Sequence, residues 1–252
     1  AIGVDPCTDV GIKKPFTHAL ARTMEPVDLI VANNVLAHVD DLWDVFRGID
    51  HLLKDEGALV FEVQDFRQLV RTGSFDMIYH EHRDYHTLTP WRDFLKRFGL
   101  IVTHVDGLST HGGSMRIWCE RPGESCFYVH EQIDWKAFKS RIADAKASVL
   151  AQIAEVDGPL VAFGATAKAC TLIHHFGLAD LIDACIDSTT AKQWRYIPGT
   201  KIQIIPPDSY LHGFGPKSSI LLTAWNFEQE IRAQYPDNHF IVPFKEALCP
   251  AH

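Results

Sequence analysis

The chain has 252 residues, 46% apolar and 22% charged, with a formal net charge of −8. That balance is ordinary for a folded domain protein, and the acidic excess argues against a nucleic-acid partner, which needs a basic face. No run approaches the length of a membrane span, and no charged-then-apolar leader is present, so no membrane partner is expected.

The six cysteines (Cys7, Cys119, Cys126, Cys170, Cys185 and Cys249) form no CxxC pair and read as reduced thiols of a cytoplasmic protein. Residues 1–6 have the look of a buried parallel strand reaching its carboxyl end, and the expectation is that a strand and a glycine-rich loop precede Ala1. A short apolar run follows at 28–33. Leu42, Val45, Phe46, Ile49, Leu52 and Leu53 then recur at helical spacing up to Gly57, the expected stop, and 58–63 is the next strand. Strand, helix, strand at this spacing predicts a parallel sheet with crossover helices, an α/β fold. Ligands of such sheets gather at the carboxyl ends of the strands, where Asp5, Asn33, Asn34 and Gln64 fall.

Thr89 and Pro90 read as the N-cap and first turn of a helix that stops at Gly99, and strands are expected at 100–105 and 115–119. The small-residue turn between those strands, 109–114, suits either close approach of a ligand or an ordinary hairpin. Apolar positions every three or four residues from 135 to 156 predict a long amphipathic helix, ended by Gly158 and Pro159. A second α/β unit follows, with strands at 160–163, 181–186, 202–205, 219–224 and 239–242. The predicted organisation is a first domain over 1–132, a linker helix over 133–157 and a second, smaller domain over 158–252.

Between the units' landmarks lies the densest chemistry of the chain, Ile78-Tyr79-His80-Glu81-His82-Arg83-Asp84-Tyr85-His86. Imidazole titrates near neutrality, and a neighbouring carboxylate can orient it and raise its basicity, as a general base requires. The same residues would also serve as a metal site through His80, His82 and His86, or as a polar surface loop. Asp5 suits a ribose, and Asn33 and Asn34 beside His38 offer uncharged donors and acceptors. In the second unit Gly164 opens a helix N-terminus to an anion, Lys168 lies one turn in, and Asp187 closes the next strand. The stretch 192–199 pairs the cations Lys192 and Arg195 with the aromatics Trp194 and Tyr196, suited to a diphosphate with an attached base. A nicotinamide enzyme is the rival reading of that unit, although it calls for three glycines where one stands.

Taken in order, Asn33-Asn34-Val35-Leu36-Ala37-His38, Ile78-Tyr79-His80-Glu81-His82, His111-Gly112-Gly113-Ser114-Met115-Arg116, Gly164-Ala165-Thr166-Ala167-Lys168 and Lys192-Gln193 with Pro198-Gly199-Thr200 resemble the sugar C-methyltransferases of deoxysugar pathways. The resemblance implies a truncated class I, Rossmann-like methyltransferase domain followed by a smaller Rossmann-like domain that holds a nucleotide-sugar. It implies S-adenosyl-L-methionine as cofactor, with zinc confined to an N-terminal module absent here, so that the chain alone is expected to be inactive. By position, His82 would take a proton alpha to the sugar ketone, Glu81 would orient it, and Tyr79 and His38 would flank the reacting sugar. Asp5, Asn33 and Asn34 would line the cofactor pocket. Asn34, His111, Gly164, Lys168, Lys192, Tyr196 and Asn226 would serve the substrate. The resemblance implies no metal in the reaction itself. Phe163, where relatives can carry tyrosine, and His80 depart from the pattern.

Overall fold

The computed structural model describes residues 1–121 and 132–244, which form two sheets. Cys126 and Cys249 lie outside the described residues. The first sheet is built from β1 (Val27–Asn33), β2 (Leu53–Gln64), β3 (Ile101–Leu108) and β4 (Ser114–Glu120), in the order β1-β2-β4-β3. β1 and β2 run parallel, and β3 and β4 form an antiparallel hairpin whose second strand pairs with β2. The sheet is therefore mixed.

Residues 1–6 do not join it as the expected strand. Their hydrogen bonds close locally, Ile12 N–H to Gly3 O at 2.8 Å and Asp5 N–H to Ile12 O at 3.1 Å, leaving one isolated bridge, Val4 to Ile12, and Ile2 67% exposed. A short helix α1 (His18–Ala21), capped by the Thr17 hydroxyl, leads into β1.

Helix α2 (Leu42–Leu52) begins where the Asp41 carboxylate accepts the Asp44 N–H at 3.0 Å. It buries Val45, Phe46, Ile49 and Leu52, the face that the helical spacing marked. It ends at Leu52 because Leu53 is already extended (φ −80°, ψ 124°) and opens β2. Gly57, the expected helix stop, lies instead inside β2, where the register shifts from Val27–Leu53 to Leu29–Ala58. Helix α3 (Phe66–Thr72) follows, ended by Gly73 at φ 78°, and then a single 3-10 turn, Phe75–Met77. Helix α4 spans Leu88–Leu95, so Pro90 sits within its first turn and Thr87, not Thr89, precedes it. Phe46, Phe61, Trp91, Leu95, Met115 and Ile117 form the core between the helices and this sheet.

Helix α5 (Trp135–Ala154) is capped by Asp134 and buries only Phe138 and Val149 completely, as suits a connecting helix. The second sheet contains β5 (Leu160–Phe163), β6 (Ala184–Ile186), β7 (Gln203–Ile205), β8 (Ser219–Leu222) and β9 (His239–Ile241). All five are parallel in the order β7-β6-β5-β8-β9, with helices α6 (Ala167–Phe176), α7 (Pro207–Gly213) and α8 (Glu228–Gln234) between them. The strand order reverses between β5 and β8, the position beyond whose carboxyl ends ligands of such sheets gather.

The cores do not divide where the sequence plan divides. Leu69, Val70, Phe75 and Met77, from α3 and the 3-10 turn, are buried in the core of the second sheet. Phe75 lies 5.3 Å from Phe176 and 5.8 Å from Phe244, ring centre to ring centre. The root of the histidine-rich loop is thus held by the second unit.

Candidate functional site

The loop after the 3-10 turn folds back on that turn's carbonyls. His82 Nδ1 lies 3.1 Å from Met77 O, and its Nε2 lies 2.9 Å from the Tyr79 hydroxyl. A carbonyl only accepts, so Nδ1 carries the hydrogen and Nε2 keeps the lone pair, toward which the Tyr79 O–H points. Tyr85 reinforces the fold, its hydroxyl accepting the Tyr79 N–H at 3.1 Å and lying 3.4 Å from Met77 O. Burial, helped by the nearby His38, pushes the His82 imidazole down to about 4, so the ring is neutral at ordinary pH. Burial pushes the Tyr79 phenol up to about 12, which keeps it a donor.

This geometry changes the role expected of Glu81. Its side chain is exposed and stands 3.9 Å from His80, while the Met77 carbonyl orients His82. The reason is the direction of the loop: Glu81 offers inward only its backbone oxygen, which accepts from His38 Nδ1 at 2.9 Å. The His38 and His82 rings are 4.8 Å apart. His80 is exposed and His86 packs against Trp91 at 5.0 Å, so the imidazoles diverge, and no three metal-ligating side chains converge among the described residues.

A small cavity of about 90 Å³ collects Asn34, Ala37, His38, Val63, Gln64, Met77, Tyr79, His82 and His111. Five of the residues singled out from sequence meet here: Asn34, His38, Tyr79, His82 and His111. Asn34 and His111 both hold φ 53°, a backbone state uncommon for side-chain-bearing residues and often found where a site requires it. His111 stands in the β3–β4 turn, flanked by Gly112 and Gly113 at φ 80° and 116°. Burial lowers its imidazole below the ordinary value, with the Lys168 charge acting in the same direction.

Gln64, at the carboxyl end of β2, also lines this cavity, and both heteroatoms of its amide are buried without a partner. The sequence placed Gln64 at a strand end but gave no sign that its amide is left unpaired. Asn33 is exposed beside the cavity, and Asp5 is exposed with its carboxylate accepting the Cys7 N–H at 2.6 Å. Asp5 is therefore not brought to a strand end by the described fold. A wider hollow of about 410 Å³, lined by Trp43, Asp84, His86, Trp91 and Phe94 among others, contains none of the residues assigned to cofactor, substrate or proton transfer; of the candidate metal ligands it takes only His86.

In the second unit, Lys168 does not reach outward for a phosphate. It is 7% exposed, hydrogen-bonded to Asn226, with its ammonium 4.2 Å above the centre of the Trp225 ring. Burial lowers it to about 8, against the pull of Asp76. Gly164, at φ 100°, allows β5 to pass β8 closely, since a Cβ there would stand 2.6 Å from that of Ala224. Its own N–H goes to Ile186 O at 2.8 Å and the next, Ala165 N–H, to Asp187 at 2.9 Å, so neither faces an anion.

Asp187 also accepts from Thr189 N–H at 2.8 Å and Lys192 Nζ at 3.1 Å. Burial opposes its charge, but the hydrogen bonds from Thr189 and Lys192 hold its carboxyl below the ordinary range. Tyr196 and Trp194 are 56% and 58% exposed and two residues apart, next to Lys192 and Arg195. Trp194, paired with Tyr196 in the sequence reading of this stretch, holds φ 66°, and its N–H bonds Ile204 O at 2.7 Å.

Comparison with known proteins adds a family. Residues 109–243 match the C-methyltransferase C-terminal domain, and residues 1–105 match a methyltransferase domain. The chain is 31% identical to the C-methyltransferase NovU of Streptomyces niveus over 94% of its own length and 60% of NovU's. It thus spans about three fifths of that relative. Among solved structures, an O-methyltransferase family protein from Burkholderia thailandensis aligns with a TM-score of 0.32 at 22% identity, over 45% of this chain and 36% of that one. The O-methyltransferase of a trans-AT PKS multienzyme of Brevibacillus brevis, in complex with S-adenosyl-L-homocysteine, aligns with a TM-score of 0.29 at 11% identity, over 48% and 51% of the two chains.

Proposed function

This chain belongs to the C-methyltransferase family, and from that premise we propose that the protein methylates a carbon alpha to the ketone of a nucleotide-linked keto-deoxysugar. The observation that carries the reading is the neutral His82, its Nδ1–H fixed on Met77 O and its Nε2 facing a cavity in which an amide lacks a partner.

His82 Nε2 takes the alpha proton as the Tyr79 hydroxyl shifts its hydrogen bond from the imidazole to the sugar. The electron pair of the broken C–H bond moves onto the ketone oxygen. Gln64 and Asn34 donate to that oxygen from amides already placed in the cavity, which lowers the cost of the developing charge. His38, stacked edgewise on His82, passes the proton toward solvent. The enolate carbon so formed is the nucleophile that a bound methyl donor would alkylate.

Asn33 and Asn34, at the end of β1, would hold S-adenosyl-L-methionine, which would supply an electrophilic methyl group whose bond to sulfur breaks to leave a neutral thioether. The uncharged, left-handed Asn34 beside the unpartnered Gln64 amide suits a polar ligand of this kind. Lys192, Arg195, Trp194 and Tyr196 serve the nucleotide, with charge for the diphosphate and aromatic faces for the base.

The first half-reaction is testable without the methyl donor. In D2O the protein is expected to exchange the proton alpha to the ketone of a nucleoside-diphosphate 4-keto-deoxysugar for deuterium, detected by mass and NMR. An unchanged substrate, under conditions where binding is saturated, would remove the enolate reading.

A further inference from the structure

The second unit does more than stand beside the cavity. Trp225, in the 3-10 turn that follows β8 (Trp225–Phe227), is 2% exposed and touches both walls of the His82 site. On one side its indole N–H donates to Asp76 Oδ2 at 2.7 Å. Asp76 is fully buried in the 3-10 turn that ends in Met77, whose carbonyl orients His82. On the other side Trp225 lies so close to Gly112 that a methyl group there would come within 2.4 Å of Cη2. Gly112 follows His111, which lines the cavity opposite. The Lys168 ammonium, 4.2 Å from the centre of the Trp225 ring and bonded to Asn226, completes the contact. A further bond, from Thr171 Oγ1 to Ile78 O at 3.2 Å, ties α6 to the first residue of the loop.

The geometry points to Trp225 and Asp76 as positioning residues for His82: the second unit completes the first unit's proton-abstraction site by wedging one indole between the root of the base loop and the His111 turn. The inference rests on the assignment of His82 as the base. Two observations carry it beyond ordinary packing. The indole uses its only polar atom on a buried carboxylate from the other unit, which a merely apolar seam would not require. The residue next to that carboxylate supplies the oxygen that fixes the His82 tautomer. A ligand that engages Lys168 or Asn226 beyond the carboxyl ends of β5 and β8 would thereby bear on the same indole.

Loss of the wedge lets water reach the imidazole and frees Nδ1, so the test follows His82 itself. The charged and titratable groups around the ring are His38 from the turn before α2, Tyr79 and Tyr85 from its own loop, His111 from the β3–β4 turn, and the outward-turned Glu81, which acts only through its charge. Their identities are unchanged in every variant below. The His82 ring resonances, assigned by their loss in His82→Asn, are titrated by NMR in the 252-residue chain, with thermal unfolding recorded in parallel.

Trp225→Phe keeps a ring beside Phe244 and removes the indole donor. It is expected to move the His82 midpoint upward by at least about one unit, a tenfold rise in proton affinity, toward the ordinary imidazole value. Gly112→Ala, which displaces the indole from the other wall, is expected to move it in the same direction. Asp76→Asn retains an acceptor for the indole and is expected to leave the midpoint in place, whereas Asp76→Leu shifts it. Folded Trp225→Phe or Gly112→Ala protein with the parent His82 titration, even if less thermostable, would overturn the proposal and reduce Trp225 to a structural seam. Should Trp225→Phe fail to fold, Gly112→Ala and the Asp76 pair decide by the same criterion. The readout is the imidazole, not turnover, so failure of the proposed reaction would show separately in the exchange assay.

Discussion

The Tyr79 hydroxyl and the His82 imidazole share a 2.9 Å hydrogen bond at Nε2, with their ring centres 4.2 Å apart. Because Met77 O fixes the hydrogen on Nδ1, this bond runs from phenol to imidazole, and the nitrogen it reaches is the one with a free pair. A group that borrows the lone pair in the resting site can release it when a better acceptor arrives.

His82→Asn is therefore expected to abolish alpha-proton exchange, by a factor of about 10²–10⁴, the usual contribution of a positioned general base. Binding of the nucleotide-sugar, followed by calorimetry, should stay within a few-fold of the parent. Undiminished exchange would remove His82 from the base role.

The pH dependence follows from burial. In the proposed reaction deprotonated His82 is the competent form, and its imidazole is held down near 4, so exchange should stay level from pH 8 to about 5 and fall through about 4. An unperturbed histidine would instead give a limb near about 6.5. Stability carries the same sign. Unfolding takes up a proton between about 6.5 and about 4, so the folded state weakens as pH drops through that window and levels off below it. Urea melts of the parent and His82→Asn across pH 4–7 should differ in slope there.

Gln64 separates stability from function. Its unpartnered amide costs on the order of 1–3 kcal/mol, so Gln64→Leu should leave thermal stability unchanged or raise it. The same change should slow alpha-proton exchange by about 10²-fold, as loss of one preorganised donor does. A large fall in melting temperature would show that the amide serves the fold.

Asp187 is expected to act as a structural tie. Asp187→Ala frees the Ala165 and Thr189 N–H groups and Lys192, and should cost about 1–3 kcal/mol in urea unfolding. Lys192→Ala, which removes an outer partner 40% exposed, should cost well under that.

The exposed pair Trp194 and Tyr196 makes the opposite prediction. Alanine at either position should hardly change stability but weaken binding of a nucleoside diphosphate by about 1–3 kcal/mol, the usual worth of a base stacked on an aromatic ring. Equal affinity in both variants would place the nucleotide elsewhere.

Much of the plan was legible in the residues. Apolar spacing located α2, α4 and α5, and the strand–helix alternation marked both α/β units, because side-chain periodicity reports which face is buried. The density of titratable groups at 78–86 likewise singled out the stretch from which Tyr79 and His82 reach the small cavity. Errors came where main chain replaced side chain. Gly57 reads as a helix stop, yet Leu53 had already turned extended, a choice made by pairing with β1. Residues 1–6 read as a strand, yet their hydrogen bonds close within residues 3–12, so Asp5 is not carried to a strand end.

The sequence by itself marked two stretches of α/β alternation with a long helix between them and singled out Tyr79, His82, His38, Asn34 and His111, which the fold gathers at one cavity, since composition and periodicity are properties of residues. Only the tertiary structure decided what those residues lean on. His82 is oriented by the carbonyl of Met77 and not by Glu81, Lys168 is turned inward onto Trp225 and Asn226, and Gln64 is left with an unpaired amide. A backbone oxygen is present at every position and reveals nothing in a list of residues. It becomes a partner only when the chain folds an imidazole against it, here at the place where an indole from the second unit holds the turn.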